Sequence, residues 1–216
     1  METGPVGFSA ITSAAQPAST FAPRLLDDTH PSKGGSKTGG EKGAGVESLV
    51  LNVGAGTQKY GDMRVDFHAS PSLTAVCDAS RGLPFRESVF SEVYSRCLFE
   101  HLRNPGNFLD EAFRVLRPLG RLVLITDHAG YWRWHLQVDH ARDYTHRCNK
   151  DRHYALYSAG HLRNFCEASG FNVLSVEYEG FGPEVRLGKD RILERVPGLR
   201  VLAKPRLKVV ALKPRG

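Results

Sequence analysis

Apolar residues along the chain fall into short blocks that end in glycine or an acid, and the first block sets the pattern. Leu49 to Thr57 reads LVLNVGAGT, a run of strand-forming residues that breaks into Gly54, Ala55 and Gly56. Apolar residues without alternation suit a parallel strand covered on both faces. Glycine then lets the backbone turn sharply and bring its N–H groups close to a bound molecule. A plain strand-to-helix turn has the same local signature, so the later blocks decide its meaning. Met63 to Phe67 and Leu73 to Cys77 predict a second and a third strand, with Asp66 and Asp78 at their ends. Acids at the carboxyl ends of parallel strands face the crevice where open α/β sheets bind ligands, and they suit the hydroxyls of a ribose.

The pattern continues with a fourth strand over Glu92 to Ser95, leading into Leu98 to Leu102. Asn104 and Pro105 then mark a helix start, and Phe108, Leu109, Ala112, Phe113 and Leu116 share one face at helical spacing. Pro118 and Gly120 are expected to end that helix, and Leu122 to Ile125 to make a central fifth strand. Ser158 opens another helix that stops at Gly170. Asn172 to Tyr178 and Leu207 to Leu212 predict strands six and seven, with a short helix over Lys189 to Val196 between them.

Composition adds the edges of this picture. Residues 1–46 are rich in Gly, Ser, Thr, Ala and Pro without periodicity, and read as a disordered tail ahead of a domain over 47–216. Cys77, Cys97, Cys148 and Cys166 are widely spaced and form no C-x-x-C pair, which argues for reduced thiols in a cytoplasmic protein and against a disulfide scaffold or zinc site. No apolar run approaches the roughly 20 residues of a membrane span, so insertion is not expected. The net charge of +6 is uneven. From Arg186 to the end, ten cations face two acids, making a basic insertion of 183–206 and the strand after it. Such a surface suits an anionic substrate, a nucleic acid or a membrane surface, and equally a plain solvated face.

Taken in order, these phrases resemble the class I S-adenosylmethionine-dependent methyltransferases, in particular their small methyltransferase domains. LNVGAGT (51–57) is similar to the cofactor loop, VDF to the second-strand acid, and CDASRGLPF (77–85) to the third-strand acid and its Leu-Pro-Phe continuation. SEVYSRCLFEHL (91–102), FRVLRPLGRLVL (113–124) and LKVVALKP (207–214) resemble the fourth strand, the helix with the fifth strand, and the closing strand. The resemblance implies an α/β, Rossmann-like doubly wound sheet of seven strands, the last antiparallel. It also implies S-adenosyl-L-methionine as cofactor. Gly54 and Gly56, with Ala55 between, would pass under its methionine part; Asp66 would take the ribose hydroxyls; Asp78, beside Ala79, would take the adenine amino group; Ser95 and Arg96 would flank the sulfur. Three departures stand out. Lys59 to Asp62 leaves too few residues for the usual first crossover helix, which is expected to be short or absent. Asn52, counted with the cofactor contacts, stands where an acid is common, and Leu119 replaces a frequent glycine.

Methyl transfer from a sulfonium needs alignment more than it needs a base, but a hydroxyl acceptor must lose a proton. The irregular stretch 127–157, read as a lid, carries His128, His135, His140, His146 and His153 among Asp127, Asp139, Asp143, Asp151, Tyr144 and Tyr154. An acceptor pocket with a histidine base, a metal site, and a polar lid whose histidines do no chemistry all account for that density. His146 and His128, with Asp143 and Tyr144 as partners, are the candidates of the pocket reading. His101 reads as part of a helix start under the cofactor. The expected function is methyl transfer to a small-molecule or glycan-like acceptor, at oxygen. An RNA methyltransferase or nucleic-acid-binding module using the basic segment is the alternative. A nicotinamide-dependent oxidoreductase shares the strand-glycine-acid logic but lacks its third glycine here.

Overall fold

The computed structural model describes residues 48–133, 153–180 and 188–215, and all that follows concerns these. The expected tail, and His146, Asp143 and Tyr144 of the lid, lie outside them.

Seven strands form one sheet in the order β3-β2-β1-β4-β5-β7-β6. They are β1 Val50–Val53, β2 Met63–Asp66, β3 Ala75–Val76, β4 Phe90–Arg96, β5 Leu116–Asp127, β6 Asn172–Glu179 and β7 Arg206–Leu212. Strands β1 to β5 pair in parallel, and β7 runs antiparallel between β5 and β6. The strand number, the antiparallel last strand and the missing first crossover helix are as expected from the sequence.

Alternation along the strands gives the sheet two different faces. On one, Leu51, Val93, Leu122, Leu124, Leu207 and Val209 join a buried cluster with Phe108, Leu109 and Ala112 of helix α1 (Pro105–Val115) and Leu162 and Cys166 of α2 (Ala159–Ala168). This is the hydrophobic stripe that the helical spacing predicts. Ser158 caps α2, its Oγ accepting from the His161 N–H at 3.2 Å, whereas Asn104 makes no side-chain cap on α1. On the other face the same strands present Asn52, Glu92, Tyr94, Arg96, Arg121 and Lys208. Tyr60 donates to Glu92 at 2.6 Å, Arg121 Nε to Glu92 at 2.9 Å, and Arg96 to Glu179 at 2.6 Å. Val123 and Ile125 are buried among these long polar side chains, with no described helix covering them.

Two local features differ from expectation. Helix α1 ends at Val115, because Leu116 already turns extended, so Pro118 and Gly120 lie inside β5 rather than beyond the helix. The β4–β5 register pairs Leu116 with Phe90 and resumes at Arg121 after an irregularity. Leu119 sits in that irregularity at φ 62°, a left-handed conformation that favours glycine.

The connection from β1 to β2 is a flat loop. Asp62 N–H donates to Val50 O at 2.9 Å and its carboxylate accepts from Val50 N–H at 2.8 Å. Asn52 Nδ2 donates to Tyr60 O at 3.1 Å. Gly61 takes φ 90° here, where a Cβ would stand 3.2 Å from both Asn52 Cβ and Val50 O. Further along, Arg114 donates to Leu83 O and Phe85 O at 3.0 and 2.9 Å while Glu111 accepts from Leu83 N–H at 2.7 Å. The Leu-Pro-Phe segment is thereby clamped onto α1.

Candidate active site

A cavity of about 650 Å³ opens at the carboxyl ends of β1 to β4, within the range of small-molecule sites. Its floor is the glycine loop. Gly54 and Ala55 N–H groups both donate to Val65 O, at 2.9 and 3.1 Å, which ties the loop across to β2. Gly54 has φ 73°, and a Cβ there would meet Leu98 Cβ at 2.9 Å. Gly56 has φ 52° and open space where a Cβ would point. A side chain at either position would strain the turn, and at Gly54 it would collide with the opposite wall.

Asp66 stands at the end of β2 with both carboxylate oxygens anchored: Gly56 N–H donates to Oδ2 at 2.8 Å and His68 N–H to Oδ1 at 2.9 Å. Each oxygen keeps a further lone pair for a ligand hydroxyl. Asp78 accepts from Ser80 N–H at 3.0 Å and Ser80 Oγ at 2.6 Å, and its other oxygen is 3.3 Å from Arg81 Nε. Gly54, Gly56, Asp66, Asp78 and Ala79 all line the cavity.

Four of the residues expected to contact the cofactor are not among those lining the cavity. Ala55 is fully buried under the loop. Asn52 points to the polar face and holds the crossover loop. Ser95 is buried, and Arg96, one residue on, falls on the polar face beside Glu179 because side chains alternate along β4. Next to Ser95 and Arg96, which the resemblance sets beside the sulfur, the cavity is lined by Cys97, Leu98 and His101. Cys97 has φ 54°, a strained conformation for a non-glycine residue at the point where β4 meets the cavity. Burial pushes its thiol pKa up. His128 is buried outside the cavity lining, with Nδ1 2.9 Å from Lys204 O and its ring against Tyr178. It joins the end of β5 to the segment before β7.

A different set of titratable groups gathers on the cavity wall. His101 ends a 3-10 turn, Phe99–His101, and faces the cavity, as do Arg103 and Tyr154, which share a hydrogen bond of 3.0 Å. The ring of His153 lies 4.3 Å from that of His101, edge to face, and its Nδ1 is 3.2 Å from Asp127 Oδ2. Beneath them Glu100 is 1% exposed and accepts from Thr126 Oγ1 at 2.7 Å. Burial, and secondarily the Asp127 charge, push its carboxyl up to about 7, against the hydrogen bond from Thr126. The sequence reading named His153 and Asp127 only among many lid residues; only the fold shows that they stack behind His101.

A sequence profile for the methyltransferase domain family matches residues 37–176. The chain belongs to that family. No curated protein matches it, but solved structures share its fold at low identity. Phosphoethanolamine N-methyltransferase 2 of Haemonchus contortus, bound to S-adenosyl-L-methionine, is 17% identical with a TM-score of 0.53, over 78% of this chain and 49% of that one. An S-adenosylmethionine-dependent methyltransferase of Mesorhizobium loti is 16% identical with a TM-score of 0.52, over 77% and 92%. One from Methanosarcina mazei is 13% identical with a TM-score of 0.52, over 80% and 95%. As a methyltransferase the chain uses S-adenosylmethionine, and the cavity fits that cofactor. Gly54 leaves no room for a Cβ beside Leu98, Gly56 holds a left-handed turn that favours glycine, and Asp66 is pre-oriented to accept from hydroxyls.

Proposed function

We propose that this methyltransferase alkylates a hydroxyl of a small, polar, glycan-like acceptor, and that His101 removes the hydroxyl proton. In this reading Gly54 and Gly56 carry the amino-acid end of the cofactor, Asp66 its ribose and Asp78 its adenine edge. The bound cofactor supplies a methyl group already activated on a positive sulfur. The protein's own task is to hold an acceptor oxygen in line with that carbon and to accept its proton.

The observation that supports this reading is the His101, His153 and Asp127 succession, with His101 on the cavity wall and His153 3.2 Å from the carboxylate. A base on the wall, held by a second ring packed edge to face against it and with an acid behind that ring, supports the reading of His101 as the proton acceptor. Arg103 and Tyr154 add donors suited to a polyhydroxylated molecule.

The test is methyl transfer from labelled S-adenosylmethionine to panels of sugars, phenols and amines, with the methylated atom located by mass spectrometry. O-methyl products are expected, and His101→Gln should lower the rate about 100- to 1,000-fold while leaving S-adenosylhomocysteine affinity unchanged. Methylated amines, or an unimpaired His101→Gln enzyme, would overturn the proposal.

A further inference from the structure

Helix α3 (Gly188–Arg195) and the turns after it, ending in the short 3-10 segment Arg200–Ala203, carry a surface that methyl transfer does not use. Their two acids turn inward. Asp190 is buried and accepts from Trp132 Nε1 at 2.6 Å, and Glu194 pairs with Lys204 at 2.6 Å. Lys189, Arg191, Arg195 and Arg200 are exposed. Between them stand three aliphatic side chains in water: Ile192 at 63%, Val196 at 39% and Leu199 at 43% exposure. Single exposed apolar residues are ordinary, but three within eight positions, interspersed along the chain with exposed cations and with no exposed acid among them, form a patch.

We propose that this patch docks the protein on the surface of an anionic lipid bilayer. Aliphatic side chains entering the headgroup region and arginines pairing with anionic lipids are the two weak signals that together hold a protein at an interface. A nucleic acid would answer to the charge but not to the aliphatics, and Gly188 to Ala203 contains no aromatic residue on which a base could stack. Placement supports the same surface. Arg206 at the start of β7 pairs with Asp127 and Glu179 at the ends of β5 and β6, so the segment before it lies at the sheet edge where the cavity opens. Docking is peripheral: among the described residues no helix is long and apolar enough to cross a membrane.

The experiment is sedimentation of the full chain with vesicles of phosphatidylcholine alone and with vesicles holding about 30% phosphatidylserine. The anionic vesicles should bind at least about 30-fold more strongly, and Arg191→Gln with Arg195→Gln should remove about 30-fold of that affinity. Ile192→Ser with Leu199→Ser should remove about tenfold or more. S-adenosylhomocysteine titration of both double variants should match the parent, which shows that they are folded. Equal binding to the two vesicles, or binding indifferent to the Ile192 and Leu199 changes, would overturn the proposal. Tight binding of single-stranded RNA that survives those two changes would assign the patch to nucleic acid instead.

Discussion

Leu119 holds a left-handed backbone conformation on the surface, half exposed, with its N–H bonded to Lys213 O at 3.0 Å. A β-carbon in that region costs about 1–2 kcal/mol, of which glycine would return a part to chain entropy. Leu119→Gly is therefore expected to stabilise the protein by about 0.5–1 kcal/mol, a Tm rise of about 1–4 °C by calorimetry. Glu100 has the opposite character, a buried acid whose pKa stands at about 7 against an ordinary 4.5. Because the folded-state value is raised, the stability of the neutral form is fully present below pH 4.5 and is lost as pH climbs through 7. The loss is of order a few kcal/mol. Urea titrations at pH 5 and pH 8 should show that Glu100→Gln flattens this decline. At this scale the sequence was legible where the geometry is local: glycines after a strand and acids at strand ends reach the cavity. The His101, His153 and Asp127 succession was not, because its members come from three segments that only the packed fold brings together.

Among the elements, the first crossover shows how one side chain can replace a helix. Asn52 is fully buried and its amide donates to the Tyr60 carbonyl, so the acid common at that position would set a carboxylate against a carbonyl oxygen. Asn52→Asp should cost about 2–3 kcal/mol, measured as a lower urea midpoint with an unchanged slope. Element types and order followed from hydrophobic period, caps and turn residues, and Ser158 caps as its sequence position suggests. The ends of α1 and β5 did not follow. Pro118 and Gly120 were expected to stop the helix, but Leu116 leaves it first to pair with Phe90, a contact distant in sequence. Ser95 and Arg96 illustrate the same gap: adjacent residues of β4 fall on opposite faces, and phrase matching does not record which.

For the molecule as a whole, and among the described residues, one face of the sheet is covered by helices α1 and α2 while the other carries an open mesh of Tyr60, Glu92, Arg96, Arg121 and Glu179. The loop that makes room for this mesh also changes how the chain can find its fold. Only residues 54–62 separate β1 from β2, fewer than the dozen or so of an ordinary parallel crossover. The entropy of closing that loop is correspondingly small, so this parallel pairing is available early, whereas β7 must wait for the rest of the sheet. Stopped-flow refolding should give Val65→Ala a φ-value of about 0.5 or more and Val209→Ala one below about 0.3. A shortened connection that looks like a loss in the finished structure thus makes the side of the sheet that carries the glycine loop the natural nucleus from which the remainder condenses.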